Sequence, residues 1–148
     1  MIRKVETLEE ANKCDELLNK LILDEKKYDN TINENFVVNN YFSKMINNEN
    51  NILLIDIIDD KIIAYVFAKK IYDESIDIGY LIDGLYVEQE YRNRGIAKNL
   101  INEIIKICEN NNASYIDINV MYNNTLAKKL YKSLEFNELK LTLRKKLN

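Results

Sequence analysis

The chain has 148 residues, 47 % apolar and 30 % charged, a net charge of -3, two cysteines, no proline and no histidine. This is the balance of a single globular domain, 1–148, with enough apolar residues for a core and no overall field to attract nucleic acid or an anionic membrane. Without histidine, and with Cys14 and Cys108 far apart, zinc sites and Ser/His or Cys/His hydrolysis are excluded, so no metal is expected. Acid–base chemistry falls to Asp, Glu, Tyr, Lys or water. No apolar run reaches membrane-spanning length and the N-terminus lacks a signal-peptide core, which points to a reduced, cytoplasmic protein with no membrane partner.

In chain order, Ile2 to Val5 reads as a short strand, and Thr7-Leu-Glu-Glu10 as a capping box that opens a helix to about Leu23. Its buried stripe is Ala11, Cys14, Leu17, Leu18, Leu21 and Ile22. A polar connection, Asp24 to Asp29, leads to a second expected helix over roughly Asn35 to Asn47, with Phe36, Val37, Tyr41, Met45 and also Phe42 inward. Ile52 to Ile58 and Lys61 to Ile71 form an expected hairpin around Asp59-Asp60. Tyr72 to Ser75 turns the chain into a central strand beginning near Ile76 and ending at Val87. An amphipathic helix follows, with Ala97, Leu100, Ile101, Ile104, Ile105 and Cys108 on one face, and is broken by Asn110-Asn-Asn112. Tyr115 to Val120 alternates as a strand, Asn123-Asn124 opens another helix, and a last strand is expected from Glu138 to Lys146. The order β-α-α-β-β-β-α-β-α-β predicts an α/β fold, a mixed central sheet with helices on both faces.

The chemistry concentrates between the central strand and its helix, in Arg92-Asn93-Arg94-Gly95-Ile96-Ala97-Lys98. A helix start leaves backbone N–H groups without intrahelical partners and carries partial positive charge. With Arg92, Arg94 and Lys98 beside it, and only a hydrogen at Gly95 to keep a ligand from the backbone, this is a site for a phosphate-bearing ligand.

Arg92-Asn-Arg-Gly95-Ile-Ala97 resembles the acyl-CoA signature of the GNAT acetyltransferase superfamily, Gln/Arg-x-x-Gly-x-Gly/Ala, with Leu85-Tyr-Val87 ahead of it. Gln89 stands where relatives often have proline. A second block, Asn124-Thr-Leu-Ala127 through Leu130, Tyr131 and Phe136, resembles that superfamily's Asn-x-x-Ala-x-x-Leu-Tyr-x-x-x-Gly-Phe, with Glu135 in place of the glycine. The resemblance covers nearly the whole chain and implies acetyl-CoA as co-substrate, transferring its acetyl group directly to a primary amine. It implies that Leu85, Tyr86, Val87, the turn from Arg92 to Lys98, Asn124 and Tyr131 hold coenzyme A. Tyr131 would also protonate the leaving thiolate.

For the base, Asp83 is the candidate: a carboxylate inside an apolar strand, whose burial would raise its pKa; a hydrogen-bonded structural role beside a bulge at Gly84 is the competing reading. Glu25, Tyr28 and Asp29 fall where relatives build the acceptor pocket. Only twelve residues follow Phe136, so the wall that relatives place over the acceptor looks short. The acceptor, a small amine or a peptide or protein amine, would meet an open site or one covered by a second subunit in a homodimer. A non-catalytic acyl-CoA-binding sensor or docking module is the alternative function.

Overall fold

Alternation of side chains in the middle of the sheet decides what lies on each face. The computed structural model of the chain describes residues 1–72 and 77–148; the expected turn at 73–75 and the strand start near Ile76 lie outside the described residues. The strands are β1 (Ile2–Lys4), β2 (Asn51–Ile58), β3 (Lys61–Tyr72), β4 (Ile78–Val87) and β5 (Tyr115–Ile118); the helices are α1 (Leu8–Glu25), α2 (Ile96–Asn110) and α3 (Thr125–Ser133). They form a five-stranded sheet in spatial order β1-β2-β3-β4-β5. Every pairing is antiparallel except β4 with β5, which is parallel. Leu53, Ile55, Tyr65 and Phe67 turn to one face, against Ala11, Cys14 and Leu17 of α1. Ile52, Leu54, Val66, Ala68, Tyr80 and Ile82 turn to the other, against Leu100, Ile101, Ile104 and Cys108 of α2. The expected mixed sheet with helices on both faces is therefore present. Burial pushes the Cys14 thiol up to about 12 and that of Cys108 up to about 11, so both are core groups without thiolate chemistry.

Local sequence explains most element ends. Asp59 and Asp60 both have positive φ (49° and 61°), as a two-residue hairpin of the primed type requires. Helix α2 stops where Asn112 turns left-handed, with Ala113 N–H donating to Cys108 C=O at 3.0 Å and Asn112 N–H to Glu109 C=O at 3.0 Å.

Two expected elements are corrected. Only Phe42–Lys44 within 35–47 is helical, as a 3₁₀ turn. The Asn19 side chain clamps the Val38 peptide, accepting from its N–H at 2.7 Å and donating to its C=O at 3.0 Å. Asn40 has φ 56°, which breaks any helical continuation, and Phe36 and Val37 are both 59 % exposed rather than inward. Buried Asp15 then accepts from Phe42 N–H at 3.0 Å, pinning the turn to α1. The expected last strand, 138–146, forms no ladder with any described strand.

Helix α1 begins as expected. Thr7 Oγ1 accepts from Glu10 N–H at 3.1 Å, and Glu10 Oε2 accepts from Thr7 N–H at 3.4 Å and Glu6 N–H at 2.8 Å. Arg3 of β1 adds an ion pair at 2.5 Å, and that hydrogen bond above all lowers the Glu10 pKa to about 2. A carboxylate held below its unfolded value stabilises the fold above that value and loses the contribution on acidification. Glu10→Gln is expected to cost roughly 1 kcal/mol at neutral pH. In denaturant titrations the gap from wild type should close as pH falls from 4.5 towards about 2.

Candidate active site

Strand β4 changes register at one point. Ala68 pairs with Ile82 and the next pair is Phe67 with Gly84, which leaves Asp83 as the unpaired residue of a β-bulge. At the same level the parallel pairing to β5 ends, with Ile82 opposite Ile118. Above it, among the described residues, β4 is paired along its β3 edge only. Glu88 N–H donates to Ile63 C=O at 2.8 Å, so strand alternation turns the peptide groups of Leu85 and Val87 to the open edge. Tyr86 differs from its expected role: its peptide faces β3, and its ring lies on the α1 face with the Arg92 guanidinium 5.2 Å from the ring centre.

The turn after β4 presents backbone donors. Gly95 is the N-cap of α2 with φ 77°, and the first intrahelical bond runs from Asn99 N–H to Gly95 C=O at 3.0 Å. The N–H groups of Ile96, Ala97 and Lys98 therefore have no carbonyl within the helix. A Cβ added at Gly95 would meet nothing within 4 Å among the described residues. Asn93 is also left-handed, with φ 63°. The arginines are less free than their sequence suggests. Arg92 donates through Nε to Val87 C=O at 2.9 Å and through Nη2 to Asp24 at 2.8 Å. It ties the end of α1 to the top of β4 instead of standing open for phosphate. Arg94 donates to Glu90 C=O at 3.2 Å and lies 5.2 Å from the Tyr91 ring centre. Lys98 has no ion-pair partner among the described residues, which leaves it as the turn's unengaged cation.

The second motif is placed by α3. Asn124 caps the helix, its Oδ1 accepting from Ala127 N–H at 3.2 Å. Tyr131 packs against the α2 side of the core and meets Phe136 edge-on, with 6.2 Å between ring centres. Glu135, in the place of a glycine, still takes the left-handed conformation, with φ 67°. Phe136 N–H reaches Tyr131 C=O at 3.0 Å and Glu135 N–H reaches Lys132 C=O at 3.0 Å, so the helix ends as a glycine would end it. Desolvation, with a smaller effect from Glu25, pushes the Tyr131 phenol up to about 12.

The expected burial of Asp83 is corrected: bulging turns it outward, where it is exposed and ion-paired to Lys69 at 3.3 Å. Glu25, the last residue of α1, is surface-accessible yet surrounded by enough protein that desolvation, with Asp83 second, raises its pKa. The Glu25 charge also helps raise the pKa of Tyr131 and of Tyr65, so its influence reaches both phenols as well as the carboxylate of Asp83. Asp29 is engaged by Thr31 Oγ1 at 2.6 Å and Arg144 at 2.8 Å, and is lowered to about 2 by Thr31 first and Arg144 next. Tyr28 forms the turn after α1, its N–H donating to Glu25 C=O at 2.9 Å. Among the described residues, no group of three or more His, Cys, Asp and Glu could hold a metal ion, and no helix is long and apolar enough to cross a membrane.

Asp24 and Tyr65 were not singled out from the sequence. Only folding brings Asp24 to Arg92, and Tyr65 reads as one residue of an alternating strand. Its hydroxyl is fully buried without a hydrogen-bond partner among the described residues, and burial raises its pKa. A Cβ at Gly84 would lie 2.8 Å from that oxygen, so glycine there makes room for the phenol beneath the bulge. Because an unpaired buried hydroxyl is costly, Tyr65→Phe is expected to stabilise the protein by about 1 kcal/mol. Its melting temperature should rise by roughly 2–4 °C. A fall would show that the hydroxyl is bonded in solution.

Residues 14–136 match the Acetyltransferase (GNAT) family. A search of curated proteins gives no match. Among solved structures, a mutant of the BH1408 protein from Bacillus halodurans is similar, with TM-score 0.89 and 22 % identity over 100 % of this chain and 99 % of that one. A ribosomal-protein-alanine N-acetyltransferase from Brucella melitensis biovar Abortus 2308 superposes with TM-score 0.74 and 18 % identity over 100 % and 99 %. The aminoglycoside acetyltransferase meta-AAC0020, from an uncultured soil metagenomic sample, gives TM-score 0.74 and 16 % identity over 100 % and 96 %.

Proposed function

The chain belongs to the acetyltransferase (GNAT) family, and from that premise we propose that it is an N-acetyltransferase that passes the acetyl group of acetyl-CoA directly to a primary amine. The family uses acetyl-CoA as co-substrate. One observation carries the assignment: the open edge of β4 at Leu85 and Val87 leads directly into the donor-rich turn at Ile96, Ala97 and Lys98. An extended amide-bearing arm suits the first and a pyrophosphate suits the second. Lys98 adds a positive charge beside the turn, while Arg92 and Arg94 fix its shape.

In the reaction the amine nitrogen attacks the thioester carbonyl carbon, the C–S bond breaks, and the thiolate leaves. The Leu85 and Val87 amides can polarise the carbonyl. With a pKa of about 12 Tyr131 stays protonated and offers its O–H to the departing sulfur. A thiol of ordinary pKa, about 8.5, is the stronger acid. Tyr131 therefore stabilises the departing thiolate by hydrogen bonding, and for net protonation of the sulfur its proton must be replaced from the one the ammonium gives up, relayed through water. The proton lost by the ammonium goes to a carboxylate at the opening, directly or through water. Asp83 is exposed and neutralised by Lys69, whereas the surroundings of Glu25 disfavour its charge; this supports Glu25 as acceptor and leaves Asp83 to set its field. Similar folds named for ribosomal-protein alanine and for aminoglycosides support an amine on a peptide or a small polycation.

Coenzyme A binding tests the turn. Because Gly95 is left-handed, Gly95→Asn, which tolerates that conformation, is the control for Gly95→Asp, which adds a charge. Calorimetry should show at least a tenfold loss of affinity for Gly95→Asp relative to Gly95→Asn. Affinities of both variants equal to that of the wild type would place the cofactor elsewhere.

Turnover, followed by thiol release across small amines and peptides, tests the chemistry. Glu25→Gln should lower kcat by roughly 10²-fold or more near neutral pH and recover at high pH, where free amine is abundant. Asp83→Asn should shift the acid limb of the profile modestly, because it removes a negative charge that helps raise the Glu25 pKa. A profile unchanged in Glu25→Gln and lost in Asp83→Asn would return the role to Asp83. Tight acetyl-CoA binding with no turnover on any amine would favour a sensor.

A further inference from the structure

Helix α1 covers only part of its face of the sheet. The core beneath it takes Leu53 and Ile55 of β2, Tyr65 and Phe67 of β3 and Tyr86 from the top of β4, and no residue of β5. Below the bulge, strand alternation puts Lys69, Leu81 and Asp117 on this face in one row, because Lys69 pairs with Leu81 and Leu81 with Asp117. Leu81 and Tyr115 belong to neither core and are half-buried. A Cβ at Gly79 would collide with the Tyr115 ring, so glycine lets that ring lie across β4, on the face that carries Asp117.

Charges on this face are unevenly matched. Lys69 lies 3.3 Å from Asp83 and neutralises it. Asp24, Asp29 and Glu88 are held by Arg92, Arg144 and Lys20. The carboxylates of Glu25 and Asp117 make no ion pair or side-chain hydrogen bond among the described residues. Glu25 comes from the end of α1 above the bulge, and Asp117 from β5 below it. The Tyr65 hydroxyl, fully buried and unpartnered, reaches the bulge from the same face, 2.8 Å from where a Cβ of Gly84 would stand. An unfilled donor and two unmatched carboxylates on one face are polar groups that await a ligand.

Building on the acetyl transfer proposed above, we propose that Asp117 determines acceptor specificity by holding a second ammonium or guanidinium of the acceptor. Strand spacing of ~4.8 Å and a rise of ~3.3 Å per residue put Asp117 about 8 Å from Asp83 along the sheet face. An acceptor whose reacting nitrogen lies by Glu25 and Asp83 thus reaches Asp117 with a second cation on a linker of that length. The linker crosses Leu81, and the Tyr115 ring brings aromatic surface to the cation. Lys69 occupies Asp83, which leaves Asp117 as the carboxylate open to the second charge.

Thiol release at saturating acetyl-CoA tests this with two matched pairs of acceptors: hexamethylenediamine against hexylamine, and a dipeptide amide with lysine in second place against one with norleucine there. In at least one pair kcat/KM should favour the dication by roughly fivefold or more beyond the factor of two for its extra amine, the gain lying in KM. The pair that shows it tells a polyamine from a basic peptide. The preference should fall with added salt. Asp117→Asn should abolish it through a higher KM for the dication, with coenzyme A affinity unchanged by calorimetry, and Asp117→Glu should retain it. Equal kcat/KM within both pairs, or a preference that survives in Asp117→Asn, would overturn this inference and leave acetyl transfer standing. No turnover with any of the four would sink the acetyl-transfer reading, and this inference with it.

Discussion

Everything chemical in this fold depends on one irregularity in β4. A parallel neighbour can follow a strand only while the hydrogen-bond period is kept, and the unpaired Asp83 breaks that period where β5 ends its pairing, at Ile118. A bulge bends its strand and increases the local twist. The upper half of β4 accordingly keeps β3 and loses β5, and the Leu85 peptide group and the Val87 N–H, which a ladder would have consumed, become available to a ligand, while Arg92 takes the Val87 C=O. The same parity change sends Tyr86 to the α1 face and Leu85 and Val87 towards the α2 side. One extra residue thus creates the binding edge and selects which side chains flank it.

Such an opening weakens the sheet unless something else holds its upper end. Arg92 does this, joining Val87 C=O and the Asp24 carboxylate, with Lys20 and Glu88 adding a second tie between α1 and the end of β4 at 2.6 Å. The tie at Val87 is charge-assisted and partly buried, so it is worth more than an exposed surface pair. Because Asp24 precedes Glu25, anchoring Asp24 also fixes the last turn of α1 beside the upper end of β4. The motif arginine therefore serves the site through geometry: it positions the strand edge and the acidic helix end relative to each other.

The sequence made the α2 stripe, the hairpin at Asp59-Asp60, the capping box and both motif blocks legible, because each is a local pattern with its own period or cap. What it concealed was non-local. The helix expected over 35–47 had the right apolar spacing, but the Asn19 clamp on Val38 comes from a different element and outweighs weak helix propensity. Asp83 looked buried because its neighbours are apolar; the bulge that turns it outward depends on pairing with β3. Tyr65 and Asp24 gave no signal, since their importance lies entirely in cross-element contacts. The tail is the converse case: its strand pattern is plain, and a strand still needs a second one.

The left-handed positions hold a further clue to the site. The chain has only three glycines, and Asn40, Asp59, Asp60, Asn93, Asn112 and Glu135 all adopt positive φ without one. Asparagine and aspartate tolerate that region, and even glutamate is accepted at the end of α3. Conformation alone therefore does not require a glycine at position 95, where asparagine would serve as it does two residues earlier. The protein's own packing does not require it either, since no described atom lies within 4 Å of where a Cβ would stand. What glycine uniquely provides there is bare backbone facing solvent beside the unbonded N–H groups of Ile96, Ala97 and Lys98. In a chain this sparing of glycine, that is the signature of space kept for a ligand.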